Sequence, residues 1–160
     1  MPVIIKLGGS VITDKANPGV IRSGVIAELA VAVAAANKPA VIVHGAGSLG
    51  HPEAKAYGIA DGVSKENARG VYVTHTAVSR LNAEVVAALR EAGVEAVSFH
   101  PFSSALAENG RLVFCGEEQI SCLLAAGIIP VLHGDVVLDR TRGGCIVSGD
   151  QIVPYLAKAL

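Results

Sequence analysis

Three short apolar runs that each stop at a glycine constrain this chain more than any other feature. Val3-Ile4-Ile5-Lys6-Leu7 runs into Gly8-Gly9-Ser10, and Ala40-Val41-Ile42-Val43-His44 into Gly45. Ile128-Ile129-Pro130-Val131-Leu132 is followed by His133-Gly134-Asp135. Apolar runs of this length, without polar alternation, suit strands covered on both faces. Helical patterns lie between them. Ser23 to Ala36 is helix-like with Ser23 as N-cap, and Ser64 is placed to cap a long helix towards Ala92. Gly93 suits the residue just past that helix. Glu117 to Ala126 has acid in its first turn and Gly127 at its end. A last helix starts near Asp150. Alternating strands and helices predict an α/β fold with a mainly parallel sheet sandwiched by helices.

Smaller features fill the gaps. Val11 to Thr13 reads as a short extended piece, and Asn17-Pro18-Gly19 as a turn. Gly45 to Gly50 reads as a glycine-rich loop, with Pro52 in the first turn of the helix after it. Val94 to Phe99 is a strand ended by His100-Pro101, and Leu112 to Cys115 a short one. Val136-Val137-Leu138 and Cys145-Ile146-Val147 flank Thr141-Arg142-Gly143-Gly144 as a hairpin.

Composition narrows the function classes. The 160 residues, the size of one domain, are 51% hydrophobic and 17% charged, enough apolar content for a substantial core. A net charge of −1, with no basic run, gives no footprint for nucleic acid or an anionic membrane. The most apolar long segment, Val25 to Ala36, is too short to span a bilayer and carries Glu28. Cys115, Cys122 and Cys145 lack zinc-finger spacing and read as buried thiols in a reducing compartment. No leader pattern precedes the first strand. The expectation is a cytoplasmic protein.

In open parallel sheets, ligands bind beyond the carboxyl ends of the strands. The loops there begin at Lys6, His44 and His133, and Ser148-Gly149-Asp150 opens the last helix. Glycines let backbone N–H groups approach an anion without obstruction by Cβ, and Lys6 adds a positive charge. Two such loops on neighbouring strands suit phosphoryl transfer, where donor and acceptor are both anionic. Each feature also has a plainer explanation: a tight turn, a solvated lysine, a first-turn acid. Gly45-x-Gly47-x-x-Gly50 matches a dinucleotide fingerprint, which needs an acidic residue ending the next strand. Asp61 and Glu66 lie near, but with no strand before them. There is no Walker A sequence, protein-kinase set or Gly-x-Ser-x-Gly elbow. His44, His75, His100 and His133 are scattered and show no metal spacing, so no metal site is expected.

Taken together, Lys6-Leu7-Gly8-Gly9-Ser10 followed by Asp14-Lys15 resembles the opening of enzymes with the amino-acid-kinase (carbamate-kinase-like) fold. His44-Gly45-Ala46-Gly47-Ser48-Leu49-Gly50-His51-Pro52 resembles the second glycine loop of isopentenyl phosphate kinases, including its terminal histidine. Pro130 to Val137 and Ser148-Gly149-Asp150-Gln151-Ile152 are similar to later signatures of that family. The resemblance implies a kinase that uses ATP and Mg²⁺ to phosphorylate an isoprenoid monophosphate, and a homodimer. Lys6 would stabilise the transferred phosphoryl group, and Lys15 would reach the phosphates. Leu7, Gly8, Gly9, Ser10 and Gly47 would meet the nucleotide. Ala46, Gly47, His51 and Gly149 would meet the acceptor, His51 through its phosphate. Asp150 would orient the lysines. The acceptor's tail would lie against an apolar wall that includes the long helix. Ala46 stands where many relatives have glycine, and Leu49 where phenylalanine is common.

The family pattern runs about a hundred residues further, with the adenine pocket and a second catalytic lysine. Ile152 to Leu160 ends inside a helical pattern. The expectation is therefore that residues 1–160 form the phosphoacceptor-binding part, with the nucleotide-binding part absent. Two alternatives stay open: a related phosphate or phosphonate kinase resembling fosfomycin kinases, and, for the isolated fragment, a non-catalytic anion-binding or dimerisation module.

Overall fold

A computed structural model describes residues 2–160. Four parallel strands form the central sheet: β1 (Val3–Leu7), β2 (Ala40–His44), β3 (Ala96–Ser98) and β6 (Ile129–His133). Their order across the sheet is β1-β2-β6-β3. Leu7 pairs with His44 and His44 with His133, so these strands finish at one edge of the sheet.

Strand pleating divides β2 between two cores. Ile42 faces one side with Ile26 and Ala30 of α2 (Ser23–Ala36) and Leu81, Val85 and Leu89 of α4 (Ala68–Glu91). Val41 and Val43 face the other, with Ile120 of α6 (Glu117–Ala125) and Ile152 and Leu156 of α7 (Gly149–Ala159). Side chains of this size, fully buried, each contribute about 1.5–3 kcal/mol from removed apolar surface. Helices on both faces explain why the strands carry no polar alternation.

A second four-stranded sheet was not legible in the sequence. It comprises β4 (Leu106–Glu108), β5 (Arg111–Phe114), β7 (Asp135–Asp139) and β8 (Gly143–Val147), in the order β5-β4-β7-β8. β7 and β8 form the expected hairpin, closed by the Asp139 carboxylate. That carboxylate accepts the Thr141, Arg142 and Gly110 N–H groups and the Thr141 hydroxyl. Burial alone would raise its pKa, but these donors together hold it well below the ordinary carboxylate value.

Several local expectations need correction. Val11 to Ile12 is not extended: it belongs to α1 (Gly9–Ile12), because the Gly8 carbonyl accepts the Val11 and Ile12 N–H groups. Ser23 is not a cap, since Arg22 holds that position and no side-chain cap bond forms. Ser64 does not start the long helix; its N–H donates to Asn67 Oδ1, and α4 begins after Asn67. The second glycine loop is itself the start of α3 (Gly47–Ala56), which places Pro52 inside that helix. α5 (Pro101–Ser104) follows His100. Cys115 and Cys145 are buried thiols, their pKa pushed up by burial to about 12 and about 11, whereas Cys122 is exposed.

Candidate active site

The strand ends and the first turns of α1, α3 and α7 enclose a cleft of about 520 Å³. Lys6, Gly9, Ser10, Lys15, Ala46, Gly47, His51, Gly149 and Asp150 all line it. The chain thus brings together site residues that the sequence scatters over its whole length. Leu7 and Gly8 do not line it. The Leu7 side chain is buried in the core, and its carbonyl accepts the Gly45 N–H at 3.0 Å.

The two glycine loops interlock. A Cβ on Gly9 would sit 2.5 Å from the Gly47 nitrogen, and one on Gly45 would sit 2.8 Å from the Gly9 nitrogen. Gly47 also has φ +56°, the left-handed region that side chains disfavour. Thr13 buckles the loops together. Its hydroxyl donates to the Gly9 carbonyl at 2.7 Å and accepts the Ser48 N–H at 3.0 Å. Thr13 is fully buried and sequence reasoning missed it. A lone hydroxyl beside Val11 and Ile12 was the available signal.

Lys6 Nζ lies 2.5 Å from Asp150 Oδ1. This pair ties the end of β1 to the first turn of α7. The cleft lining also includes the apolar Pro52, Ala54, Val78 and Ile146, and buried Thr74. Val78 and Thr74 belong to the long helix α4.

Behind the cleft, four histidines that looked scattered are clustered. His44 and His133 stack with centroids 5.4 Å apart, and His100 Nδ1 lies 2.8 Å from His133 Nε2. His75 Nδ1 lies 2.8 Å from Asp135 Oδ2, and Asp135 lines the cleft. The hydrogen bond that His75 Nδ1–H donates to the Asp135 carboxylate raises the His75 pKa. Burial lowers His44 to about 4 and His133 to about 3, and also lowers His100. His44 and His133 end parallel strands and His100 lies two residues past a third, a signal the sequence did contain. Among the described residues no group of three His, Cys, Asp or Glu side chains is placed to hold a metal. Nor, among them, is any helix long and apolar enough to cross a membrane.

The fold is a three-layer α/β sheet with two interlocked glycine loops and a lysine–aspartate pair at its carboxyl edge, where open parallel sheets bind their ligands. The amino acid kinase family model matches residues 1–160, and the chain belongs to that family. It is 41% identical to an isopentenyl phosphate kinase of Haloferax volcanii, over 99% of this chain and 64% of that protein. A solved isopentenyl phosphate kinase superposes with a TM-score of 0.91 at 36% identity, covering 98% of this chain and 67% of the other. The product complex of the T. acidophilum isopentenyl phosphate kinase gives 0.85 at 29% identity, covering 98% and 65%. The chain therefore spans about two thirds of the length of the relatives it matches.

Proposed function

We propose that this chain is the acceptor-binding part of a kinase that phosphorylates isopentenyl phosphate to isopentenyl diphosphate with ATP. The observation that carries the reading is the cleft itself. It puts two lysines, a histidine and the free edges of two glycine loops around one space with a partly apolar wall. An acceptor with a phosphate head and a short hydrocarbon tail matches that division. The overall likeness to curated isopentenyl phosphate kinases supports the same substrate.

In this reading an acceptor phosphate oxygen attacks the γ-phosphorus of ATP, and the bond to the β–γ bridging oxygen breaks. ADP leaves with that electron pair. The acceptor oxygen is already anionic, so no general base is required. Lys6 and Lys15 neutralise charge on the transferring group, and Asp150 fixes Lys6. His51 and the Ala46 and Gly47 backbone hold the acceptor's phosphate, with Gly149 beside it. Gly9 and Ser10, in the first turn of α1, would meet the nucleotide phosphates. Mg²⁺, when bound, would neutralise charge on the nucleotide's phosphates. The described residues supply no cage of side chains for it, so the nucleotide would carry it. The adenine pocket would be built by residues outside these 160. A cytoplasmic homodimer completes the reading.

The test is ATP turnover by the complete gene product on a panel of isopentenyl phosphate, fosfomycin and small carboxylates. Preference for isopentenyl phosphate, with an acceptor KM raised about tenfold or more in His51→Ala, supports it. Preference for fosfomycin, or an unchanged acceptor KM in His51→Ala, overturns it. Sedimentation of the same preparation reads the oligomeric state.

A further inference from the structure

His44 sits beneath the second glycine loop, fully buried, and does not line the cleft. Its ring has two defined neighbours. Nε2 lies 3.0 Å from Asn82 Nδ2, and Nδ1 lies 3.0 Å from the Gly45 carbonyl oxygen. Asn82 Nδ2 gives its other hydrogen to the Val131 carbonyl at 3.1 Å. A flipped amide would set Oδ1 against that carbonyl, acceptor to acceptor. Nδ2 therefore stays where it is, and Nε2 accepts from it. The neutral ring must carry its proton on Nδ1 and donate to Gly45.

That donation sets the direction of a backbone donor. In a trans peptide the C=O and the following N–H point opposite ways. Holding the Gly45 carbonyl towards the buried ring turns the Ala46 N–H the other way. Ala46 lines the cleft, and among the described residues no protein acceptor receives its N–H. Gly45 cannot set this angle itself. It has no side chain, and the 2.8 Å approach of Gly9 leaves no room for one. The adjoining strand repeats the device. His133 is in register with His44, and its Nδ1 lies 3.1 Å from the Gly134 carbonyl oxygen. Its Nε2 faces His100.

We propose that His44 is a positioning residue for the acceptor: its Nδ1–H locks the Gly45–Ala46 peptide so that the Ala46 N–H is aimed at the acceptor's phosphate. The inference rests on the reading that the acceptor's phosphate binds at this loop. Burial keeps the ring neutral at ordinary pH, so the lock does not switch off there.

The experiment uses the complete gene product. An Asn side chain places an N–H near the position of Nδ1, whereas Gln reaches towards Nε2. His44→Asn is expected to keep the acceptor KM within about threefold of wild type. His44→Gln and His44→Leu should raise it on the order of tenfold, with the ATP KM unchanged. Wild-type acceptor KM in both of these variants, or an equal rise in all three, overturns the inference. Two readouts on the wild type need no variant to fold. Histidine ¹⁵N shifts should report Nδ1–H at His44, and inorganic phosphate should move the Ala46 amide resonance. An Nε2–H tautomer, or an Ala46 amide indifferent to phosphate, also overturns it. Wild type that binds phosphate at Ala46 but does not phosphorylate isopentenyl phosphate sinks the substrate reading and upholds the positioning role.

Discussion

Lys6 Nζ and Asp150 Oδ1 meet at 2.5 Å across the cleft mouth, from opposite ends of the chain. Both side chains remain substantially exposed, at 38% and 78%. An exposed pair contributes about 0–1 kcal/mol to stability, so its value lies in aim rather than in holding the fold. Asp150→Asn should leave the melting temperature nearly unchanged and lower kcat roughly 10- to 100-fold by releasing Lys6 from its fixed position. Lys6→Met should cost more under the proposed function, on the order of 100- to 1,000-fold in kcat, because the lysine's positive charge facing the transferring group is lost. Parallel thermal melts and steady-state kinetics check both. An Asp150→Asn protein with wild-type kcat would show that Lys6 needs no anchor.

Much of this geometry was legible beforehand, for a physical reason. β1, β2 and β6 are buried on both faces, so their apolar runs are continuous and unambiguous. The glycines after them mark where the backbone must come close to something. The contents of the loops were harder. Gly47 starts a helix despite its positive φ because Thr13 and Gly9 close around it, which no local pattern reveals. Ser23 and Ser64 have the right residue type for caps, but the cap bond depends on where the chain enters the helix. The histidine cluster depends on parallel register, which pairs His44 with His133 across a long stretch of sequence.

Gly9 and Gly24 should respond oppositely to alanine. A Cβ at Gly9 would meet backbone atoms of Gly47 at 2.5 and 2.7 Å, and backbone cannot step aside as a side chain does. Gly9→Ala should therefore destabilise by about 1–3 kcal/mol and abolish most activity by parting the loops. Gly24 lies in α2 with nothing within 4 Å of a Cβ, so Gly24→Ala should stabilise by about 0.5–1 kcal/mol. Urea melts of both variants decide this. Tolerance of Gly9→Ala would mean the loops are not interlocked as described.

Acid should destabilise the fold well before its carboxylates titrate. His44 and His133 have folded pKa values near 4 and 3, against an ordinary value of 6.5. Their contribution is complete above the unfolded value and is lost as pH falls below it towards the folded values. At pH 5 the unfolded chain holds about two more protons on these rings, so stability falls by up to roughly 2–3 kcal/mol per pH unit. His75 works the other way. Its raised pKa makes the contribution of its Asp135 contact greatest at low pH, and this is lost as pH rises through the folded value. Burial lowers His100 as well, so one ring against three leaves a net loss in acid. Denaturation midpoints from pH 7.5 to 5 should fall steadily, and His133→Gln should flatten the slope by about half. A flat profile in the wild type would contradict the burial of both rings.

Gly50 offers the sharpest test of how α3 is seated on α4. A Cβ there would fall 2.3 Å from Val78 Cγ1 and 2.9 Å from the Ala46 Cβ. Val78 is fully buried and also lines the cleft, so one contact joins the stability of the helix pair to the shape of the cleft. Gly50→Ala should destabilise by about 1–3 kcal/mol through overpacking. Val78→Ala should cost a comparable amount by leaving a cavity. Each change supplies what the other lacks, a methyl group against a void. The double variant should thus be more stable than the sum of the single effects predicts, with a coupling of about 0.5–3 kcal/mol. Additive losses would place the two residues out of contact. Because Val78 lines the cleft, Val78→Ala alone should also admit acceptors with a longer tail, and adding Gly50→Ala should reverse that gain. An increase in their kcat/KM relative to isopentenyl phosphate would tie this packing contact to substrate choice.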